Sequence, residues 1–212
     1  MKRLYVLAFI TLLGATISCK SDKTSKDNTA ESKAKASEQI TVLTDENYGL
    51  AESQFIFKKY IKDIAAVTKT DGMGVFMHNK KAADPKDRTV VRINFDTQYS
   101  VAVLDLNQEA TLTMPETDGR YQTAWFVTEE HYNPMAIDSP GTYTITQDKT
   151  GSRYVMVVIR TQVNMTDPKD LAIVSGLQDK IQLSQKDRGS YVVTNNWDRE
   201  KVLEMRKKYQ RI

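Results

Sequence analysis

Val90-Val-Arg-Ile-Asn-Phe-Asp-Thr-Gln-Tyr-Ser-Val-Ala-Val103 carries the alternation that decides the fold class. Taken at the two-residue period of a strand, Val91, Ile93 and Phe95 share one face, and Arg92, Asn94 and Asp96 share the other. At a strand rise of about 3.3 Å per residue, successive members of the polar row stand about 6.5 to 7 Å apart. A cation, an amide and a carboxylate at that spacing can grip a polyfunctional polar ligand. They can equally form a salt-bridged sheet face, with Asp96-Thr97 as a turn.

The same short period continues outward. Val90 to Phe95, Tyr99 to Leu106, Ala110 to Met114, Tyr121 to Thr128, Thr142 to Thr146 and Tyr154 to Thr161 each read as strands, with turns at Pro115 to Gly119 and at Ser139-Pro-Gly141. Tyr154 to Ile159 is almost wholly apolar and is expected to be the most buried. Consecutive strands with no helical pattern between them predict an antiparallel sheet, curled or doubled into a sandwich. Helices flank them. Thr44 or Asp45 caps an N-terminal helix whose stripe is Leu50, Phe57, Ile61 and Ile64 and runs through Val67, and Asp71-Gly-Met-Gly74 breaks it. Val75 to Asn79 reads as a short strand carrying His78. Asp167 as N-cap with Pro168 behind it starts a second helix, in which Leu171, Val174, Gln178 and Ile181 share a face. Tyr191 to Thr194 reads as an edge strand, and Asn196 caps a last helix to Tyr209. The expected class is therefore mainly β with flanking helices (α+β): an antiparallel β-sandwich-like domain with an N-terminal helix and two C-terminal helices.

The chain of 212 residues has room for one sizeable domain plus a targeting segment and a tether. Its net charge of +3 owes part to Lys2 and Arg3, and basic residues elsewhere are mixed with acids. No single-signed basic stripe with interleaved aromatics calls for nucleic acid. Met1-Lys-Arg, the apolar run Leu4 to Leu13 and the small residues Gly14 to Ser18 form a secretory signal. Ala15-Thr-Ile-Ser-Cys19 is similar to a bacterial lipobox, in which the cysteine is lipidated. Residues 1–18 are thus expected to be a lipoprotein signal peptide, 19–39 a flexible polar tether and 40–212 the folded domain. The tether holds no large apolar residue and spans roughly 25 Å as a flexible coil. The location that follows is the cell envelope, with the protein lipid-anchored to a membrane and facing the periplasm or the cell exterior. Cys19 is the only cysteine, so neither an intrachain disulfide nor a thiolate metal cage can form.

Asn47-Tyr with Ala51-Glu-Ser53, Val90-Val-Arg with Asn94 and Asp96-Thr-Gln-Tyr-Ser100, Val103-Leu-Asp-Leu106, Arg120-Tyr121, His131-Tyr132, Gly141-Thr-Tyr-Thr144, Gly151-Ser-Arg-Tyr-Val155, Leu177-Gln-Asp179 and Asn196-Trp-Asp198 follow a known order and spacing. From about Val42 onward the chain resembles the family called domain of unknown function 1254. The resemblance implies a bacterial, exported, β-sandwich-like domain without a settled activity. Members usually continue into a jelly-roll-like domain of unknown function 1214, so a separately encoded jelly-roll companion is an expected partner. Where the family carries Asn-Arg-Asp-Thr, this chain has Phe95 in the second place, one cation fewer.

The candidate ligand-binding residues are Arg92, Asn94, Asp96, Tyr99, Tyr121 and Tyr132, with a small polar ligand. The catalytic candidates are Asp96, His78 and His131. The two histidines are the only ones, and without a His-x-His or His-Glu-x-x-His spacing no metal site is expected, nor any cofactor. Ser100 lacks a nucleophile elbow, and Arg120, Arg153 and Arg160 read as structural pairing partners. The function expected is a lipid-anchored extracytoplasmic ligand-binding or protein-interaction module. The alternative is a hydrolase-like or other acid/base enzyme that brings Asp96 within about 3 Å of His78 or His131.

Overall fold

A computed structural model describes residues 39–86 and 93–210. In chain order the elements are α1 (Tyr48–Thr68), β1 (Met77–His78), β2 (Thr97–Asp105), β3 (Ala110–Met114), β4 (Gln122–Thr128), β5 (Ala136–Ile137), β6 (Gly141–Ile145), α2 (Gln147–Thr150), β7 (Tyr154–Gln162), α3 (Pro168–Gln178), β8 (Gln182–Gln185) and α4 (Arg199–Tyr209). The strands form two antiparallel sheets, one ordered β1-β2-β7-β4-β5 and the other β6-β3-β8.

The apolar run of β7 earns its place at the centre of the large sheet. Val155, Val157 and Ile159 point to one side, where they join Leu104 of β2, Ala124 and Phe126 of β4, and Leu112 and Ile145 of the small sheet in one core. Tyr154 and Met156 point to the other side, where Val101 and Val103 of β2 meet Phe57 and Ile64 of α1. A strand covered on both faces has no use for polar alternation, so its sequence is apolar throughout. Each large side chain fully buried in these layers contributes about 1.5 to 3 kcal/mol. The mixed sandwich with flanking helices is thus the architecture the alternating runs predicted.

Local chemistry moves several boundaries. α1 begins at Tyr48, because the Asn47 carboxamide closes the preceding turn: it accepts the Thr44 N–H and donates to the Val42 carbonyl. Past α1, Gly72 has φ +86°, and a Cβ there would lie 2.2 Å from the Ile61 carbonyl oxygen, so the turn requires glycine. Val67 is exposed and the stripe ends at Ile64. α3 starts as expected, with Asp167 accepting the Lys169 N–H and Pro168 in the first turn. α4 starts at Arg199 under an Asp198 cap, because the Asn196 backbone is held instead by Thr41, whose N–H donates to the Asn196 carbonyl and whose hydroxyl accepts the Asn196 N–H.

Among the described residues, two expected strands are not formed. Residues 90–92 lie outside the described residues, and 93–96 form a loop ahead of β2 in which Asn94 Oδ1 accepts the N–H groups of Asp96 and Thr97. That side chain replaces the ladder partners a strand would need. Tyr191 to Thr194 is likewise irregular, since the Val192 N–H donates to the Tyr154 hydroxyl and not to a neighbouring strand.

Candidate functional site

Beyond α1 the large sheet changes character. The apolar cluster against α1 stops at Val101 and Val158, and the next row across the sheet is Tyr99 of β2, Arg160 of β7 and Thr123 of β4, which are direct register partners. The Arg160 guanidinium carbon lies 5.7 Å from the centre of the Tyr99 ring and 5.4 Å from that of Trp125, so the rings come from both neighbouring strands. Such cation–π contacts hold the guanidinium without consuming its N–H groups.

Among the described residues those N–H groups find no acceptor. Among the described residues no carboxylate pairs with Arg160, and its Nε is buried without a hydrogen-bond partner. The buried Thr97 hydroxyl, on the same alternation of β2, also lacks one. Leaving a buried polar group unmatched costs about 1 to 3 kcal/mol. Asn94 completes the set: its Nδ2 donates to the Tyr99 hydroxyl at 3.1 Å, which leaves the phenolic proton free to be donated elsewhere. Arg160, Thr97 and Tyr99 therefore present donors with few acceptors among them. That imbalance suits an acceptor-rich, anionic group.

The expected site residues are distributed unevenly over this geometry. Asn94 and Tyr99 belong to the cluster, while Arg92 lies outside the described residues. Asp96 is exposed, and its backbone carbonyl accepts the Val163 N–H at the far end of β7. Tyr121 immediately precedes β4 at that same end, tied to Gln162 by two hydrogen bonds, and is 52% exposed. His131 and Tyr132 are exposed in the turn after β4, beside the Tyr154 end of β7. The nine-residue strand separates them from Asp96 by roughly 25 to 30 Å.

His78 is also apart from Asp96. It opposes Ser100 in the register of β1 and β2, and four residues of strand put Asp96 about 13 Å further along. Its Nδ1 shares a 2.8 Å hydrogen bond with Ser100 Oγ, and Gln178 Nε2 donates to the same oxygen at 3.2 Å. Burial, helped by Lys80 and opposed by Asp179, pushes the His78 pKa down. Ser100 is wholly buried, so this serine–histidine contact ties β1 and α3 to β2 and offers no nucleophile to a substrate. The three catalytic candidates are not brought together.

Of the three arginines read as structural partners, two are. Arg120 bonds Asp118 and Asp170, and Arg153 bonds Asp105, but Arg160 is the exception. Thr97, Trp125 and Arg160 were not among the expected site residues. The signal available was Arg160 itself, a charge inside the most apolar strand of the chain. Among the described residues no three His, Cys, Asp or Glu side chains are grouped to hold a metal ion, and no helix is long and apolar enough to cross a membrane.

Residues 73–185 match the model of the family described as "Protein of unknown function (DUF1254)". The chain belongs to this family. The DUF1254 match spans all eight strands and α3, so the Arg160 row lies inside it. Among solved structures the chain is similar to the VPA0106 protein from Vibrio parahaemolyticus, at 17% identity and a TM-score of 0.49. That alignment covers 73% of this DUF1254 chain and 41% of the VPA0106 chain, so the similarity takes in less than half of that protein. No curated protein matches the chain.

Proposed function

We propose that this DUF1254 protein is a ligand-binding module for a small polar ligand, displayed outside the cytoplasm on a lipid anchor at Cys19. The observation that carries the binding assignment is Arg160: a guanidinium bracketed by two aromatic rings, beside the unpartnered Thr97 hydroxyl, and without an acid among the described residues. A cation without a counter-charge among the described residues, near one end of the central strand, does little for folding. It is suited to a visiting acceptor, and specificity then comes from the polar atoms that such a group satisfies.

The anchor is supported by the apolar run before Cys19 and the polar segment after it. Both lie outside the described residues. A jelly-roll companion, implied by the family resemblance, is the protein partner this reading favours.

A thermal-shift screen of small polar metabolites against the full chain, repeated with Arg160→Gln, tests the binding assignment. At least one compound is expected to raise the melting temperature of the parent protein and to leave the variant unmoved. Failure of every compound to stabilise the parent would sink the assignment. For the anchor, Cys19→Ser is expected to move the protein from the membrane fraction to the soluble one. Retention of that variant at the membrane would remove the lipid from the proposal.

A further inference from the structure

We infer that the groove between α1 and the segment 189–191 is a second binding site, which takes a free, single-headed acidic amphiphile of medium chain length, of the fatty-acid class. The groove is open to solvent, has a volume of about 370 Å³, and is lined by Ile61 and Ala65 of α1 together with Met73 and Tyr191. Small-molecule sites fall in the range of roughly 300 to 1,000 Å³. The Arg160 row is elsewhere. Tyr191 packs edge-on against Tyr154 with ring centres 4.8 Å apart, and the stretch of β7 from Tyr154 to Arg160 spans roughly 20 Å. The inference therefore does not rest on the Arg160 assignment.

The apolar lining is held from behind. The Tyr191 hydroxyl donates to Glu129 Oε1 at 2.7 Å, and its ring stacks on that of Phe57. Met73 is buried in the core that α1 covers. From Lys58 to Ala65 the helical wall is about 10 Å long at 1.5 Å of rise per residue. A groove of that length and volume seats one short chain, not the paired long chains of a membrane lipid.

Charge selects the head group. Lys58 and Lys62, one helical turn apart on α1, are exposed and have no ion-pair partner among the described residues, whereas Lys59 between them is paired with Asp63. The opposing charge in the lining is Asp71, one of whose oxygens accepts the Met73 N–H at 3.1 Å. Two cations against one carboxylate complement a single anion. The backbone adds no donors on the far side, because the Gly189 N–H is spent on Asp187 and that of Ser190 on Asp105. Without a run of open N–H groups the groove lacks the cradle that binds phosphate. An apolar lining with two ammonium groups beside it suits a carboxylate at the end of a chain.

The test is an NMR titration of the full chain carrying Cys19→Ser, kept free of detergent, with octanoate, butyrate, octyltrimethylammonium and inorganic phosphate. The Met73 methyl signal, assigned by its loss in Met73→Leu, reports on the groove. Octanoate is expected to move that signal and to saturate at least about tenfold more tightly than butyrate, since each further methylene is worth about fourfold when fully buried. It should also bind more tightly than octyltrimethylammonium, which reverses the charge, and than phosphate, which lacks the chain. Lys58→Gln combined with Lys62→Gln should weaken octanoate about fivefold. Ala65→Phe, which fills the groove, should abolish the shift, and Arg160→Gln should leave it unchanged. Melting curves identify any variant that fails to fold, and the exposed lysine pair carries the test if Ala65→Phe does not. Absence of a saturable octanoate shift overturns the inference, as does equal binding of butyrate or octyltrimethylammonium, or tighter binding of phosphate. Octanoate affinity unchanged in the folded lysine variant overturns it too. Loss of the shift in Arg160→Gln places the acid at the Arg160 row, which sinks this second site and leaves the earlier assignment standing.

Discussion

Two arginines bracket the central strand and live under opposite conditions. Arg153 stands just before β7 and donates through Nε and Nη2, both at 2.8 Å, to Asp105, a carboxylate only 1% exposed. Asp105 also accepts the N–H groups of Asn107 and Ser190. At the other end Arg160 has ring faces for neighbours and no acid among the described residues. The charge at the Asp105 end is part of the fold, whereas the charge at the Arg160 end has no counter-charge among the described residues. That difference separates a structural cation from a functional one better than exposure does, since both side chains are only partly buried.

The comparison breaks most visibly at Asp105. Asp105→Ala strips a partner from Arg153 and orphans two backbone N–H groups, and is expected to cost about 3 kcal/mol in urea unfolding. Gly189→Ala acts on the same carboxylate from outside. A Cβ at that position, where φ is +63°, would sit 2.4 Å from Asp105 Oδ2, and a loss of about 2 kcal/mol is expected by the same measurement.

Acid titration sharpens the contrast next. Burial pushes the Asp105 carboxyl up, but the Arg153 hydrogen bonds and the two backbone N–H groups outweigh it, and the net pKa is lowered. A lowered folded-state pKa means that this group's stabilisation is fully present above the ordinary aspartate value of about 3.9 and is lost as pH falls through the folded value. Glu129 runs the other way. Burial raises its pKa against the pull of Tyr191 and Gln54, so its contribution is greatest below the ordinary glutamate value of about 4.3 and is lost as pH rises through the folded one. Stability measured against pH should therefore fall less steeply above the ordinary glutamate value in Glu129→Gln than in the parent, and less steeply on the acid side in Asp105→Asn. Parallel profiles for parent and variants would contradict this account.

Arg160→Gln should show the smallest stability effect, within about 0.5 kcal/mol by urea unfolding, because no ion pair among the described residues is lost. A loss approaching that of Asp105→Ala would make Arg160 a structural residue after all.

What the sequence revealed follows from how far each feature reaches along the chain. β3 occupies the predicted residues, and Asp167 with Pro168 starts α3 where it was placed, because caps and alternation act within a few residues. The burial of β7 was legible for the same reason. The loop at 93–96 was misread because Ile-Asn-Phe-Asp alternates as a strand does, while Asn94 spends its side chain on a turn. Arg160, Tyr99 and Trp125 meet only through the register of three strands, and no spacing along the chain reports that register. His78 was read as a catalytic candidate, and its partner Ser100 is found only once β1 pairs with β2.

The margins of the large sheet have a consequence for crowded surroundings. Among the described residues both outermost strands, β1 and β5, are two residues long. A ladder that short offers an incoming chain too few open backbone groups to template a cross-molecular strand. Among the described outermost strands, the smaller sheet's β6 and β8 are the longer ones and the better templates for edge-to-edge contact between neighbouring copies.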